Sequence, residues 1–109
     1  MNESEPDPEF DEVQRRFRER VARDHDRLTA LWRALAESRN DSAADPRWRE
    51  IEDIAHGLYG AGGTFGYPAI SRAAAALERH VAAQPRRPAA LARAIAALLR
   101  VLGEPPTGG

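Results

Sequence analysis

Residues 56–66 read His-Gly-Leu-Tyr-Gly-Ala-Gly-Gly-Thr-Phe-Gly, and five of the chain's eight glycines fall within this one stretch. In an exposed helix interior glycine is about 1 kcal/mol worse than alanine. Yet the flanking sequence has helical spacing. Ile51, Ile54, Ala55, Leu58, Ala61, Gly62 and Phe65 recur at intervals of three and four, the pattern of one buried helical face. Asp45-Pro46 supplies the start, with aspartate as N-cap and proline at the first helical position. Gly66 supplies a left-handed stop. The stretch therefore reads as the second half of a helix. A phosphate-binding loop is excluded. A Walker loop needs lysine after a strand, and the chain has no lysine and no run of period two. The dinucleotide fingerprint fails too, because position 65 is phenylalanine and no strand–helix–strand unit surrounds it.

On a wheel of about 100° per residue, Ile51, Ile54, Ala55, Leu58, Gly62 and Phe65 lie within about 50° of one direction, the core side. His56 lies about 150° from that direction and faces water. Gly60 and Gly63 share its outward side. Glu52 and Asp53 flank it one turn earlier, Arg49 lies two turns earlier, and Tyr59 sits at the edge between the outward and core faces. Two outward glycines beside one histidine cost stability and add nothing to packing. They make sense if something large must come close to His56. Gly62, facing inward, has a different reading, a close helix–helix contact.

The rest of the chain is helical as well. A first helix runs from about Pro8 to Ala36, with Phe10, Val13, Phe17, Val21, Leu28, Leu31, Trp32 and Leu35 as its apolar stripe. The wholly polar Arg23-Asp24-His25-Asp26-Arg27 marks a possible break near Asp24, and the polar cluster at 38–42 ends the helix. Pro68 opens a third helix carrying Ile70, Ala73, Ala74, Leu77 and Val81, ended at Gln84-Pro85. Pro88 opens a fourth carrying Leu91, Ala94, Ile95, Leu98, Leu99 and Leu102, ended by Gly103. Four amphipathic helices with short connections predict an all-α antiparallel four-helix bundle. A single domain over residues 8–103 is expected, with poorly ordered tails at 1–7 and 103–109.

Composition narrows the function. The chain has no cysteine, which removes disulfides, zinc–thiolate sites and thiol catalysis. Net charge is −1, so no long-range field draws it to nucleic acid or an anionic membrane. The acidic start lacks the basic segment and apolar run of a secretory signal. The most apolar stretch, 88–102, is too short to span a bilayer. A cytoplasmic protein is expected. Asp24-His25-Asp26 is no metal site, because adjacent helix residues point in different directions.

At this point the residues resemble a known family. Ala55-His56-Gly57-Leu58-Tyr59-Gly60, then Gly63, Phe65-Gly66 and Leu77-Glu78, is similar to the histidine-containing phosphotransfer (Hpt) domain. Its usual pattern is His-x-Leu-Lys-Gly, a further glycine, then Leu-Glu on the next helix. The resemblance implies a four-helix bundle, His56 as the phosphorylated residue and Gly60 as the position that gives a partner room. The family's common lysine falls on Tyr59 here, which can donate one hydrogen bond but brings no charge.

The chemistry the resemblance implies asks little of this chain. An exposed, partly neutral imidazole attacks phosphorus in line and later surrenders the phosphoryl group. Receiver aspartates and hybrid histidine kinases are the implied partners. No cofactor is implied on this chain, with Mg²⁺ expected on the receiver alone. Tyr59, Gly60, Gly63, Glu52, Asp53 and Arg49 form the implied docking face, and Glu52 and Asp53 are also candidates to orient the ring. A monomer is the simplest expectation. A histidine kinase is disfavoured because there is no room for an ATP domain. Two other classes stay open: an interaction module that binds a receiver or kinase without being phosphorylated, and a structural bundle whose glycine face has no role.

Overall fold

The computed structural model describes residues 8–38 and 44–104. The polar cluster that ends the first helix lies outside the described residues from Arg39 onward, as do tail positions 1–7 and 105–109. Four helices follow one another: α1 (Pro8–Glu37), α2 (Pro46–Phe65), α3 (Pro68–Ala82) and α4 (Pro88–Gly103). There is no strand among the described residues. Each helix packs on the next and α4 packs back on α1, closing a four-membered ring.

Local chemistry sets the boundaries. Asp45 caps α2: its Oδ1 accepts from the Arg47 N–H at 3.0 Å, and the Arg47 guanidinium folds back onto the same carboxylate at 2.6 Å. Those two donors, the side chain first, hold the Asp45 carboxyl down to about 2. At the other end Gly66 takes φ 82° and its N–H, with that of Tyr67, closes on the Gly62 carbonyl. Pro68 and Pro88 occupy the first positions of α3 and α4.

The core is apolar throughout. Leu28, Ile51, Leu58, Leu77, Leu91, Ile95, Leu98 and Val81 are its largest fully buried side chains, and no polar or charged residue among the described ones is buried. Phe65 packs on the core side as its spacing predicts. It is half-buried, stacked on Phe17 at 4.8 Å between ring centroids, and Tyr67 stacks on the other part of Phe17 at 5.1 Å. Tyr67 does more than shape the turn, because its hydroxyl also donates to Gln14 Oε1 at 3.2 Å.

Two features of α1 depart from expectation. It runs unbroken through Asp24. The polar segment there is partly sheltered: Arg20 pairs with Asp24 one turn on, and burial pushes the Asp24 carboxyl up against the pull of Arg20 and Arg23. The second departure is at the N-terminus. Phe10 and Val13 continue the apolar stripe but are 58% and 43% exposed. With 30 residues α1 is about 45 Å long. Its partners have 20 and 16 residues and span about 30 and 24 Å. The first turns of α1 therefore extend beyond the helices that could cover them.

Candidate functional site

The α2–α3 hairpin positions the site, and glycine sets how closely its arms approach. A Cβ on Gly62 would stand 3.0 Å from the Ser71 nitrogen and 3.2 Å from the Tyr67 oxygen, so only glycine admits α3 this near. Gly62 is buried, as its inward wheel position predicts. Ser71 then stitches the hairpin by donating its hydroxyl to the Tyr59 carbonyl at 2.8 Å. Gly63 faces Ser71, with 4.0 Å from a Cβ position to Oγ. Two turns back along α2 from Gly63 is His56. Two turns forward along α3 from Ser71 is Glu78. The antiparallel arrangement brings these two together.

His56 is exposed, with 76% of its side chain accessible. Its Nδ1 lies 2.8 Å from Oε2 of Glu78. An ionised carboxylate only accepts hydrogen bonds. Nδ1 therefore carries the proton and donates it, and in the neutral ring Nε2 is left with a free lone pair. The two ring nitrogens point in divergent directions, so Nε2 is turned away from Glu78. Glu78 is itself mostly sheltered, with 29% of its side chain exposed, and sits beside fully buried Leu77. A carboxylate anchored in this way restricts the ring's rotation as well as selecting its tautomer.

Neither Glu52 nor Asp53 bonds to the ring. Asp53 Oδ1 accepts instead from Arg49 Nε at 3.1 Å, one turn earlier on α2, and Glu52 is half-exposed. The structure places Arg49 and Asp53 together on the exposed surface before His56. Beyond His56 the surface is nearly bare. Nothing lies within 4 Å of a Cβ position on Gly60, and Gly63 is exposed. Thr64 folds its hydroxyl onto the Gly60 carbonyl at 3.0 Å. Tyr59 stands at the edge of this face, 47% exposed.

Two end grooves of about 570 and 470 Å³ are lined around Trp32, Trp48 and Arg86 and around Phe17, Tyr67 and Val101 respectively, and neither includes His56. The histidine projects from an exposed face of α2. Among the described residues no group of three or more His, Cys, Asp or Glu could hold a metal ion. No helix among them is long and apolar enough to cross a membrane.

A contact on the other flank of His56 was also not legible. Gly57 faces α1, and the Arg20 guanidinium rests on it, with Nη2 2.5 Å from a Cβ position. The only trace in sequence is a matched interval. Arg27 bonds Glu50, with Nη2 to Oε1 at 2.7 Å, and Arg20 and Gly57 lie two turns along their antiparallel helices from that pair.

Comparison with protein families matches the Hpt domain over residues 12–103. That span includes α2, α3, α4 and nearly all of α1, and the chain belongs to the Hpt domain family. Membership associates it with phosphorelay signalling, in which such domains carry phosphoryl groups. Comparison with curated proteins and with solved structures returns no match.

Proposed function

We propose that this domain is a phosphorelay carrier that accepts a phosphoryl group on Nε2 of His56 from the aspartyl phosphate of a receiver domain. It then passes the group to a response regulator, or returns it. The observation that carries this reading is the 2.8 Å contact between His56 Nδ1 and Glu78 on an otherwise open face. It supplies a nucleophilic lone pair at Nε2 without any further base.

The step balances simply. The Nε2 lone pair attacks phosphorus, the N–P bond forms, the P–O bond to the aspartate breaks, and the carboxylate leaves with that electron pair. The ring then holds the phosphoryl group on Nε2 and the original proton on Nδ1, and Glu78 offsets its positive charge. In the reverse step a receiver carboxylate attacks phosphorus and neutral imidazole leaves. Keeping the proton on Nδ1 therefore makes the ring a good leaving group and the transfer reversible. In-line geometry requires the donor to approach along the Nε2 lone pair. The bare backbone at Gly60 and Gly63 supports that approach by a bulky domain. Mg²⁺ and most of the charge stabilisation belong to the receiver, and a cytoplasmic location places the domain beside such partners.

The test is phosphotransfer from a panel of phosphorylated receivers and hybrid kinases to wild-type and His56→Gln protein. Label on the wild type alone supports the reading. A receiver that binds the folded protein but never labels it supports a non-phosphorylated interaction module, with exposed Tyr59 as the first contact to examine.

A further inference from the structure

Phosphorylation of His56 brings negative charge that the protonated ring does not offset, because Glu78 already balances the ring's positive charge. A phosphoryl group brings about −1.5 to −2 charges near neutral pH. Glu78 is already an anion 2.8 Å from the same ring. The phosphoryl charge is thus left unbalanced within the His56–Glu78 pair, and a cation within reach would favour its dianionic form. The docking face does not offer one directly. Tyr59 is uncharged, and Arg49 is engaged with Asp53 at 3.1 Å.

The other flank does. Gly57 follows His56 immediately, and the Arg20 guanidinium lies where its side chain would otherwise be, 2.5 Å from the Cβ position. A side chain at residue 57 would force the guanidinium away. The absence of one lets an arginine of α1 lie across the surface of α2. Consecutive Cα atoms are about 3.8 Å apart, so Arg20 ends one residue from the root of the phosphorylated side chain. Its tether is loose. The Arg20 Nε to Asp24 Oδ2 distance is 3.5 Å, well beyond the ~2.8 Å of a strong charge-assisted hydrogen bond. Nε2 points away from Glu78, so a phosphoryl group on it projects from the open side of α2. Rotation about the arginine side-chain torsions would turn the fork toward its oxygens, and phosphoryl oxygens suit the planar guanidinium.

We propose that Arg20, admitted across α2 by the missing side chain of Gly57, binds the phosphoryl group on His56 and holds it in its dianionic form. The inference rests on His56 as the phosphoryl acceptor. Arg20 is a binding residue for the phosphorylated state and has no role in forming the Nε2 nucleophile.

The experiment uses the full chain phosphorylated with phosphoramidate, so that no cognate donor is needed. The reagent's P–N bond breaks, ammonia leaves, and the N–P bond to His56 forms. The ³¹P signal is assigned by its absence from His56→Gln, and its shift is followed against pH in wild type, Arg20→Gln, Arg20→Lys and Arg79→Gln. Arg79 is an exposed cation on α3 one residue beyond Glu78 and serves as the comparison. The expected result is a phosphoryl pKa raised by about half a unit or more in Arg20→Gln, partly restored in Arg20→Lys and unchanged in Arg79→Gln. Circular dichroism checks that each variant is folded. Equal titration in wild type and Arg20→Gln overturns the role of Arg20 and leaves His56 as acceptor untouched. Normal labelling by phosphoramidate with none from any receiver overturns the relay reading instead, while the Arg20 comparison remains readable. A wild type that takes no label from phosphoramidate overturns both.

Discussion

Glu78 of α3 fixes His56 of α2 from across the helix hairpin, with Nδ1 and Oε2 2.8 Å apart. Removing this carboxylate takes away the tautomer preference and the restraint on the ring together. Glu78→Ala is expected to slow phosphoryl acceptance by about 10- to 100-fold, the size of losing a partner that fixes a histidine's tautomer and orientation. Long-range ¹⁵N–¹H spectra give the physical cause. Wild type should show its neutral-ring proton on Nδ1, and the variant should move it toward Nε2. An unchanged tautomer in the variant would remove Glu78 from the account.

The glycines of α2 separate into two kinds, and alanine distinguishes them. At Gly60 a Cβ meets nothing within 4 Å, so Gly60→Ala should stabilise the fold by up to about 1 kcal/mol while slowing transfer from a receiver. At Gly62 the same Cβ meets backbone atoms at 3.0 and 3.2 Å. Gly62→Ala should destabilise by about 1–3 kcal/mol, as overpacking does. Urea unfolding of the two variants gives opposite signs on this account.

The cap of α2 makes a pH-dependent contribution. The Asp45 carboxyl lies at about 2 against an ordinary value of 3.8. Its folded pKa is lowered, so its contribution is present above about pH 4 and is lost as pH falls toward 2. Asp45→Ala should lower Tm by about 5 °C at neutral pH, and the gap to wild type should close between pH 4 and 2. Asp24 has the opposite sign. Burial raises its carboxyl above the ordinary 3.8, so the cost of keeping it ionised in the folded state is relieved as pH falls through that raised value, before the Asp45 contribution is lost. A Tm gap that stays constant down to pH 2 would rule out the ionised cap.

Two aromatic positions of the α1 stripe should respond differently. Phe17 is 4% exposed between Phe65 and Tyr67, and Phe17→Ala should cost about 3–5 kcal/mol. Phe10, 58% exposed, should tolerate serine within about 0.5 kcal/mol. Thermal melts of both variants compare them directly.

These contrasts show what the sequence could and could not express. The helix ends were legible because their signals are local: Asp45-Pro46, Gly66, Pro68 and Pro88 each act within a turn of themselves. The outward direction of His56 and the inward direction of Gly62 followed from periodicity alone. Coverage did not. The stripe through Phe10 and Val13 identifies an apolar face but says nothing about whether a partner helix extends that far. The partner of His56 was missed for a related reason. Glu52 and Asp53 are its neighbours along α2, whereas Glu78 reaches it through the register of two helices, which depends on how closely Gly62 lets Ser71 approach. Arg20 on Gly57 depends in the same way on the register of α1 against α2.

The central claim is that His56 carries the phosphoryl group on Nε2, and the most direct measurement locates it. The domain would be incubated with a phosphorylated receiver and the product examined by fragmentation mass spectrometry and ³¹P–¹H correlation. One phosphoryl group is expected, on Nε2 of His56, acid-labile, base-stable and absent from His56→Gln. A phosphoryl group on His25 or His80, or one that persists in His56→Gln, would contradict it.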